Sequence, residues 1–216
     1  MLVGRGIIDA GRVALIRGSG VDTTRFTPIP EPSGTPLVVL PARLLRDKGV
    51  VEFVEAARTL RADGVAARFA LVGEPDSEHP ATISTADLER WRSQDAVECW
   101  GWREDMVEVF QRCHLVCLPS YREGLPKALL EAAACGRAIV TCDVPGCREV
   151  VREGDNGLLV PPRDSASLVM ALKRLLQDSA LRLRMGQRSR ERAVEEFSIE
   201  RVVADTLDVY QGCLAR

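Results

Sequence analysis

Residues 115–142 read LVCLPSYREGLPKALLEAAACGRAIVTC. An apolar run from Leu115 to Leu118 ends in Pro119 and Ser120. A polar loop containing Gly124 follows, a helical stretch covers about 126 to 135, and a second apolar run spans Ala138 to Cys142. Short apolar runs without polar alternation are the mark of strands buried on both faces. With a helix between two of them, the stretch predicts a strand–helix–strand unit of a parallel sheet with a right-handed crossover.

Further apolar runs occur at Leu37 to Ala42, Arg68 to Val72, Ala96 to Trp100 and Gly157 to Val160. Helices are expected between them over Val50 to Arg61, where Val51, Val54, Ala57 and Leu60 recur on one face, and over about 84 to 93, 104 to 112 and 165 to 177. The fold class is therefore α/β, a Rossmann-like parallel sheet of about six strands with helices on both faces. From Ala180 there is no strand pattern, and helices broken near Phe197 are expected, with Ser198 as an N-cap. Residues 1–35 carry a helix-like stretch, a strand at Val13 to Ile16 that belongs to something outside this sheet, and a linker rich in Thr, Pro and Ser from Thr23 to Pro36. The sheet domain should occupy 36–197, with a closing helix over 198–216.

Composition removes several classes of function. The chain has 216 residues, 46% apolar and 28% charged, with a formal net charge of -2. It lacks the basic surplus of a nucleic-acid binder, so no nucleic-acid partner is expected. The seven cysteines, Cys99, Cys113, Cys117, Cys135, Cys142, Cys147 and Cys213, are odd in number and mostly embedded in apolar runs, which predicts small buried reduced thiols rather than disulfides. No CxxC occurs and the only histidines are His79 and His114. No metal site is expected, and both histidines read as structural because neither has a partner for a catalytic dyad. No leader-like stretch follows Met1, and no run approaches the roughly 20 apolar residues that span a bilayer, so a cytoplasmic location is expected.

Functional candidates cluster beyond the strand ends, where parallel α/β sheets hold their ligands. After the strand at 37–42 come Arg43 and Lys48, a planar fork and a mobile point charge suited to a diphosphate, with Gly49 allowing tight entry to a helix. Glu123 and Glu131 have seven residues between them. Glu131, turned inward on its helix, can accept from two neighbouring hydroxyls, as on a ribose; Glu123 on the loop can reach a second polyol; and free N–H groups at the helix start favour a phosphate. Gly73 and Gly101 each end a strand, and Trp102 either flanks a nucleobase or is simply packed. The competing reading is plainer: solvated glutamates on an amphipathic helix and surface cations beside Arg46 and Asp47. Gly18-x-Gly20 has Thr23 in the third glycine's place, so a dinucleotide fingerprint is missing and an NAD-dependent oxidoreductase is disfavoured. Arg182, Arg184, Arg188, Arg190 and Arg192 read as a solvated helix face, with anionic lipid or another domain as the alternative contact.

In order along the chain, RVALIRGSGVDTTRFTP, PARLLRDKG, FALVGE, PSYREGLPKALLEAAACGRAIVTCDVPGCREVV and GDNGLLVPPRD resemble the C-terminal, donor-binding domain of a GT-B retaining glycosyltransferase of family 4, the glycosyl transferases group 1. That resemblance implies a catalytic set of Glu123, Arg43 and Lys48. It implies donor contacts from Gly101, Trp102, Arg103, Gly124, Leu125 and Glu131, with backbone N–H groups supplied by Gly124 and Leu125. It also implies no essential metal or bound cofactor, because cations and a helix start meet the departing diphosphate. An amino-terminal acceptor domain faces the donor domain in this family, so the chain is expected to be an excised half that binds donor with little turnover. Many relatives place a phenylalanine and a second glycine after the first glutamate; here Leu125 and Pro126 follow Gly124, as in bacterial surface-polysaccharide enzymes that often transfer N-acetylhexosamines. The expected donor is a UDP-sugar and the acceptor a glycan or lipid-linked molecule, with peripheral contact of the full-length protein at the inner face of the membrane. The alternatives are a sugar-nucleotide epimerase of related fold and a non-catalytic nucleotide-sugar-binding subunit.

Overall fold

The computed structural model describes residues 13–16 and 18–214. Six parallel strands, β1 (Leu37–Pro41), β2 (Arg68–Val72), β3 (Glu98–Gly101), β4 (Leu115–Leu118), β5 (Ala138–Cys142) and β6 (Gly157–Val160), pair in the order β3-β2-β1-β4-β5-β6. Every residue of β1, β4 and β5 is buried, which is why those runs carry no polar alternation. The helices are α1 (Val50–Ala62), α2 (Thr85–Ser93), α3 (Met106–Arg112), α4 (Lys127–Ala134), α5 (Pro145–Val150), α6 (Ser165–Gln177), α7 (Ser179–Phe197) and α8 (Ile199–Leu214). α1 packs on α6 over one face, while α4 packs on α3 and α7 over the other.

Side-chain caps start several of them: Ser84, Asp105, Asp164 and Asp178 each accept the N–H three residues on. Ser198 does the same as expected, its Oγ accepting from Arg201 N–H at 3.2 Å. Helix α5 has no counterpart in the sequence expectations, because six residues show no 3.6-residue period; Pro145 at its first turn marks it.

One expectation is corrected, while Val13 to Ile16, expected as a strand of something outside this sheet, are exposed and have no ladder partner among the described residues. The late arginines are not uniformly solvated, since Arg182 and Arg192 are 4% and 3% exposed. Arg182 forks onto both carboxylate oxygens of Glu31 at 2.9 and 2.8 Å and donates to Leu175 O. Arg190 donates to the carbonyls of Phe26, Ala134 and Thr23. Guanidinium groups here replace the missing ladder partners of the irregular 21–36 run and fasten it to the sheet domain.

The same run is held from other sides. Val21 bridges to Ser198, Phe26 is buried with its ring 6.3 Å from Phe110, and the buried Arg137 donates to Phe110 O and Ile29 O. His114 is structural as expected: its Nδ1 accepts from Leu37 N–H at 3.1 Å and its Nε2 lies 2.9 Å from Pro32 O, which fixes a neutral ring. Burial lowers its pKa from the ordinary 6.5. Cys113, Cys117, Cys135, Cys142 and Cys147 are buried and Cys213 is exposed.

Candidate functional site

The strand order reverses between β1 and β4, so the loops leaving their carboxyl ends diverge and open a crevice. The β1 loop carries Arg43 and a 3-10 turn, Arg46–Lys48, that ends at Gly49 with φ of 73°. The β4 loop carries Glu123 and runs into α4, whose first position follows Pro126. Two loops from distant parts of the chain are held in register by main-chain contact. Tyr121 N–H donates to Asp47 O at 2.9 Å, and Gly49 lies directly against Pro119.

Two adjoining clefts of about 610 and 240 Å³ share Pro41, Ala42, Arg43 and Ala128, so they form one groove. The larger end is bounded by Trp102, Arg103, Met106, Glu131 and residues 74–78. The smaller end is bounded by Lys48, Glu123, Pro126 and Lys127. Six of the expected residues, Arg43, Lys48, Trp102, Arg103, Glu123 and Glu131, thus share the groove. Gly101, Gly124 and Leu125 do not line it. Gly101 O accepts from Gly73 N–H at 2.8 Å and ties the β2 and β3 ends together, while Leu125 packs toward Gly18. Trp102 is 65% exposed, so the packed alternative does not hold and its indole is free to cover a flat ligand.

The wall formed by residues 74–78 is absent from the sequence expectations. Its turn-forming Pro75, Asp76 and Pro80 signal a loop but not where that loop lies. The main chain places it: Leu44 N–H donates to Glu74 O, and Arg46 N–H to Ala81 O. Asp76 then pairs with Arg43 at 2.7 Å.

Charge in the groove is arranged in pairs. Lys48 Nζ lies 2.7 Å from Glu123 Oε1, and Lys127 Nζ lies 3.6 Å from Glu131 Oε1. Burial raises the Glu131 carboxyl above its ordinary 4.5, and Lys127 opposes the shift. Glu131 is 8% exposed in a helix whose residues 129–134 are all buried, and is therefore a desolvated acceptor. Pro126 gives α4 no side-chain cap, so the first turn offers N–H groups beside Lys127 and Ala128 at the groove. Behind the groove, burial pushes the Cys147 thiol up to about 11 and the Cys142 thiol up to about 12, so neither supplies a thiolate at neutral pH. Among the described residues, no three His, Cys, Asp or Glu side chains gather in a group that could hold a metal ion. The groove can bind anions at its centre and hydroxyls at two separated carboxylates.

A family model for glycosyl transferases group 1 matches residues 35–178. The chain is 36% identical, over 87% of its length and 51% of the relative's, to the N,N'-diacetylbacillosaminyl-diphospho-undecaprenol alpha-1,3-N-acetylgalactosaminyltransferase of Campylobacter jejuni. It is 32% identical, over 96% of its length and 59% of the relative's, to the alpha-maltose-1-phosphate synthase of Mycobacterium tuberculosis. The chain thus spans about half the length of these curated relatives. Among solved structures, sucrose-phosphate synthase from Thermosynechococcus elongatus superposes with a TM-score of 0.83 and 26% identity, over 99% of this chain and 56% of that one.

Proposed function

The chain belongs to the glycosyl transferases group 1 family, and from that premise we propose that it is the donor-binding part of a retaining glycosyltransferase that takes a UDP-sugar. The observation that carries this reading is the groove at the sheet's reversal point, which gathers Arg43, Lys48, Glu123 and Glu131 from the loops after β1 and β4 and the helix that follows. In this reading the larger cleft takes the nucleoside, with Trp102 over the base, Arg103 at its edge and Glu131 accepting from the ribose hydroxyls. Arg43, Lys48 and the start of α4 meet the diphosphate, and Glu123 accepts from the hydroxyls of the transferred sugar. Gly124 and Leu125 do not line the groove, and the backbone N–H contacts assigned to them rest on the family resemblance alone.

The bond that breaks joins the anomeric carbon to the diphosphate, and negative charge develops on the departing phosphate oxygen. Cations and helix N–H groups already in place stabilise that charge without reorganising, which is the role a metal ion plays in other transferases. No metal or cofactor is required in this scheme. Retention follows from attack on the face the diphosphate leaves, with the departing phosphate taking the acceptor proton.

The Campylobacter relative's name supports an N-acetylhexosamine as the sugar and a lipid-linked acceptor. Acceptor recognition is assigned to the portion of the relatives that lies outside the matched half. Helix α8 presents Ile199, Val203, Leu207, Tyr210 and Leu214 as an exposed apolar stripe with none of its residues buried, a surface suited to meet that portion. No helix among the described residues is long and apolar enough to cross a membrane; in this reading the full-length protein meets its lipid-linked acceptor by peripheral contact at the inner face of the membrane. Turnover requires both substrates in near-attack geometry, so this chain by itself should bind donor and scarcely transfer it.

A thermal-shift screen of UDP, GDP and ADP with their sugar conjugates tests the reading. UDP and UDP-sugars should raise the melting temperature most. A chain whose melting is unmoved by all of them is not a donor site.

A further inference from the structure

The Lys48 ammonium and the Glu123 carboxylate, assigned above to the diphosphate and to the transferred sugar of the donor, are bonded to each other at 2.7 Å. Their side chains are only 22% and 12% exposed, so water does little to replace a lost partner. The loop bearing Glu123 is also held in place. A β-carbon on Gly146 at the start of α5 would stand 2.4 Å from Glu123 O and 2.3 Å from Gly124 O, so the loop's main chain rests on the helix. Lys48 is anchored in turn through Gly49 and Pro119.

Resting on the donor-site reading, we propose that this ion pair is a discriminator that makes the groove favour the intact sugar nucleotide over the nucleoside diphosphate left after transfer. A diphosphate alone draws Lys48 to itself, strips Glu123 of its cation and brings like charge towards it. An intact donor also brings hydroxyls, and hydroxyls donating to Glu123 replace the bond that Lys48 gives up. Breaking the pair is therefore compensated for the donor and uncompensated for the product. Once the sugar has left, the pair re-forms and favours release of the diphosphate.

The sign of the effect separates this role from that of a carboxylate acting alone. Removing an independent sugar ligand leaves nucleotide binding untouched, whereas removing the charge of Glu123 frees Lys48 and strengthens it. Calorimetric titration of the chain with UDP and with UDP-glucose, in wild type and Glu123→Gln, reads this directly. The variant should bind UDP about fivefold to tenfold more tightly and UDP-glucose less tightly, so that the preference for the sugar nucleotide shrinks or reverses. Lys48→Met in the same background should abolish the gain. Glu123→Ala provides a second variant with the same expected gain should Glu123→Gln lower the melting temperature. UDP affinity unchanged or weakened in folded variants overturns the discriminator and leaves the donor site standing. Failure of the wild-type chain to bind UDP, GDP, ADP or any of their glucose conjugates overturns the donor-site reading and the discriminator with it.

Discussion

A β-carbon on Gly49 would stand 2.2 Å from the carbonyl oxygen of Pro119. Gly49 follows Lys48 and starts α1, and Pro119 follows β4 on the way to Glu123, so this contact sets how close the cationic and acidic loops come. Gly49 also has φ of 73°, a conformation that side chains with a β-carbon rarely adopt.

Gly49→Ala should therefore cost stability and binding together. The backbone strain alone is worth about 1–3 kcal/mol, and the overlap with Pro119 adds to it by pushing the two loops apart. Urea unfolding should show the loss, and UDP titration should show affinity reduced by about tenfold or more. Retained UDP affinity would separate the loop contact from the site.

Glu131 links pH to both folding and binding. Its carboxyl is raised by burial, so its ionised form is disfavoured in the folded state. The folded chain then binds the proton more readily than the unfolded one. The resulting stability is fully present below the unfolded value near 4.5 and is lost as pH rises through the folded value. Ribose hydroxyls, in contrast, need the carboxylate, so UDP binding should strengthen across that same window. Glu131→Gln should flatten both profiles, read by melting temperature and by titration at stepped pH; a pH profile for UDP that survives the substitution assigns the titration elsewhere.

Arg182→Met removes one partner of a buried fork and strands Glu31. A loss of about 3 kcal/mol is expected, measured as a lower urea midpoint. Combining it with Glu31→Gln should recover part of that loss, because the stranded charge is removed as well. A Arg182→Met chain as stable as wild type would show that the 21–36 run is held mainly by Arg190, Phe26 and Arg137.

Val203→Glu with Leu207→Glu alters only the exposed stripe of α8. Stability of this chain should change by no more than about 0.5 kcal/mol, and UDP affinity should be unchanged. In a full-length relative carrying the acceptor-binding portion, the equivalent charges should reduce transfer; unchanged transfer would remove α8 from that interface.

Much of the architecture was readable because burial on both faces leaves a direct trace in composition. Arg68–Val72, Leu115–Leu118, Ala138–Cys142 and Gly157–Val160 are strands at the limits their apolar runs suggest, whereas β3 begins two residues later than its run. Helix α5 left no comparable trace, because six residues are too few to show a 3.6-residue period. Arg182, Arg190 and Arg192 were misread for a related reason. A guanidinium that caps distant carbonyls looks, in sequence, the same as one in water.

The site divides along the same line. The chain alone determined which chemical groups were present and that they followed strand ends: Arg43 and Lys48 after one run, Glu123 and Glu131 after another. It determined the parallel sheet, since periodicity and burial are local properties. Only the tertiary structure decided that the two loops meet at the reversal of strand order, that residues 74–78 close the groove, and that Lys48 is bonded to Glu123 and Arg43 to Asp76. Those facts depend on groups 33 and 75 positions apart, and pairing at such separations is set by how strands order in the sheet rather than by any spacing along the chain.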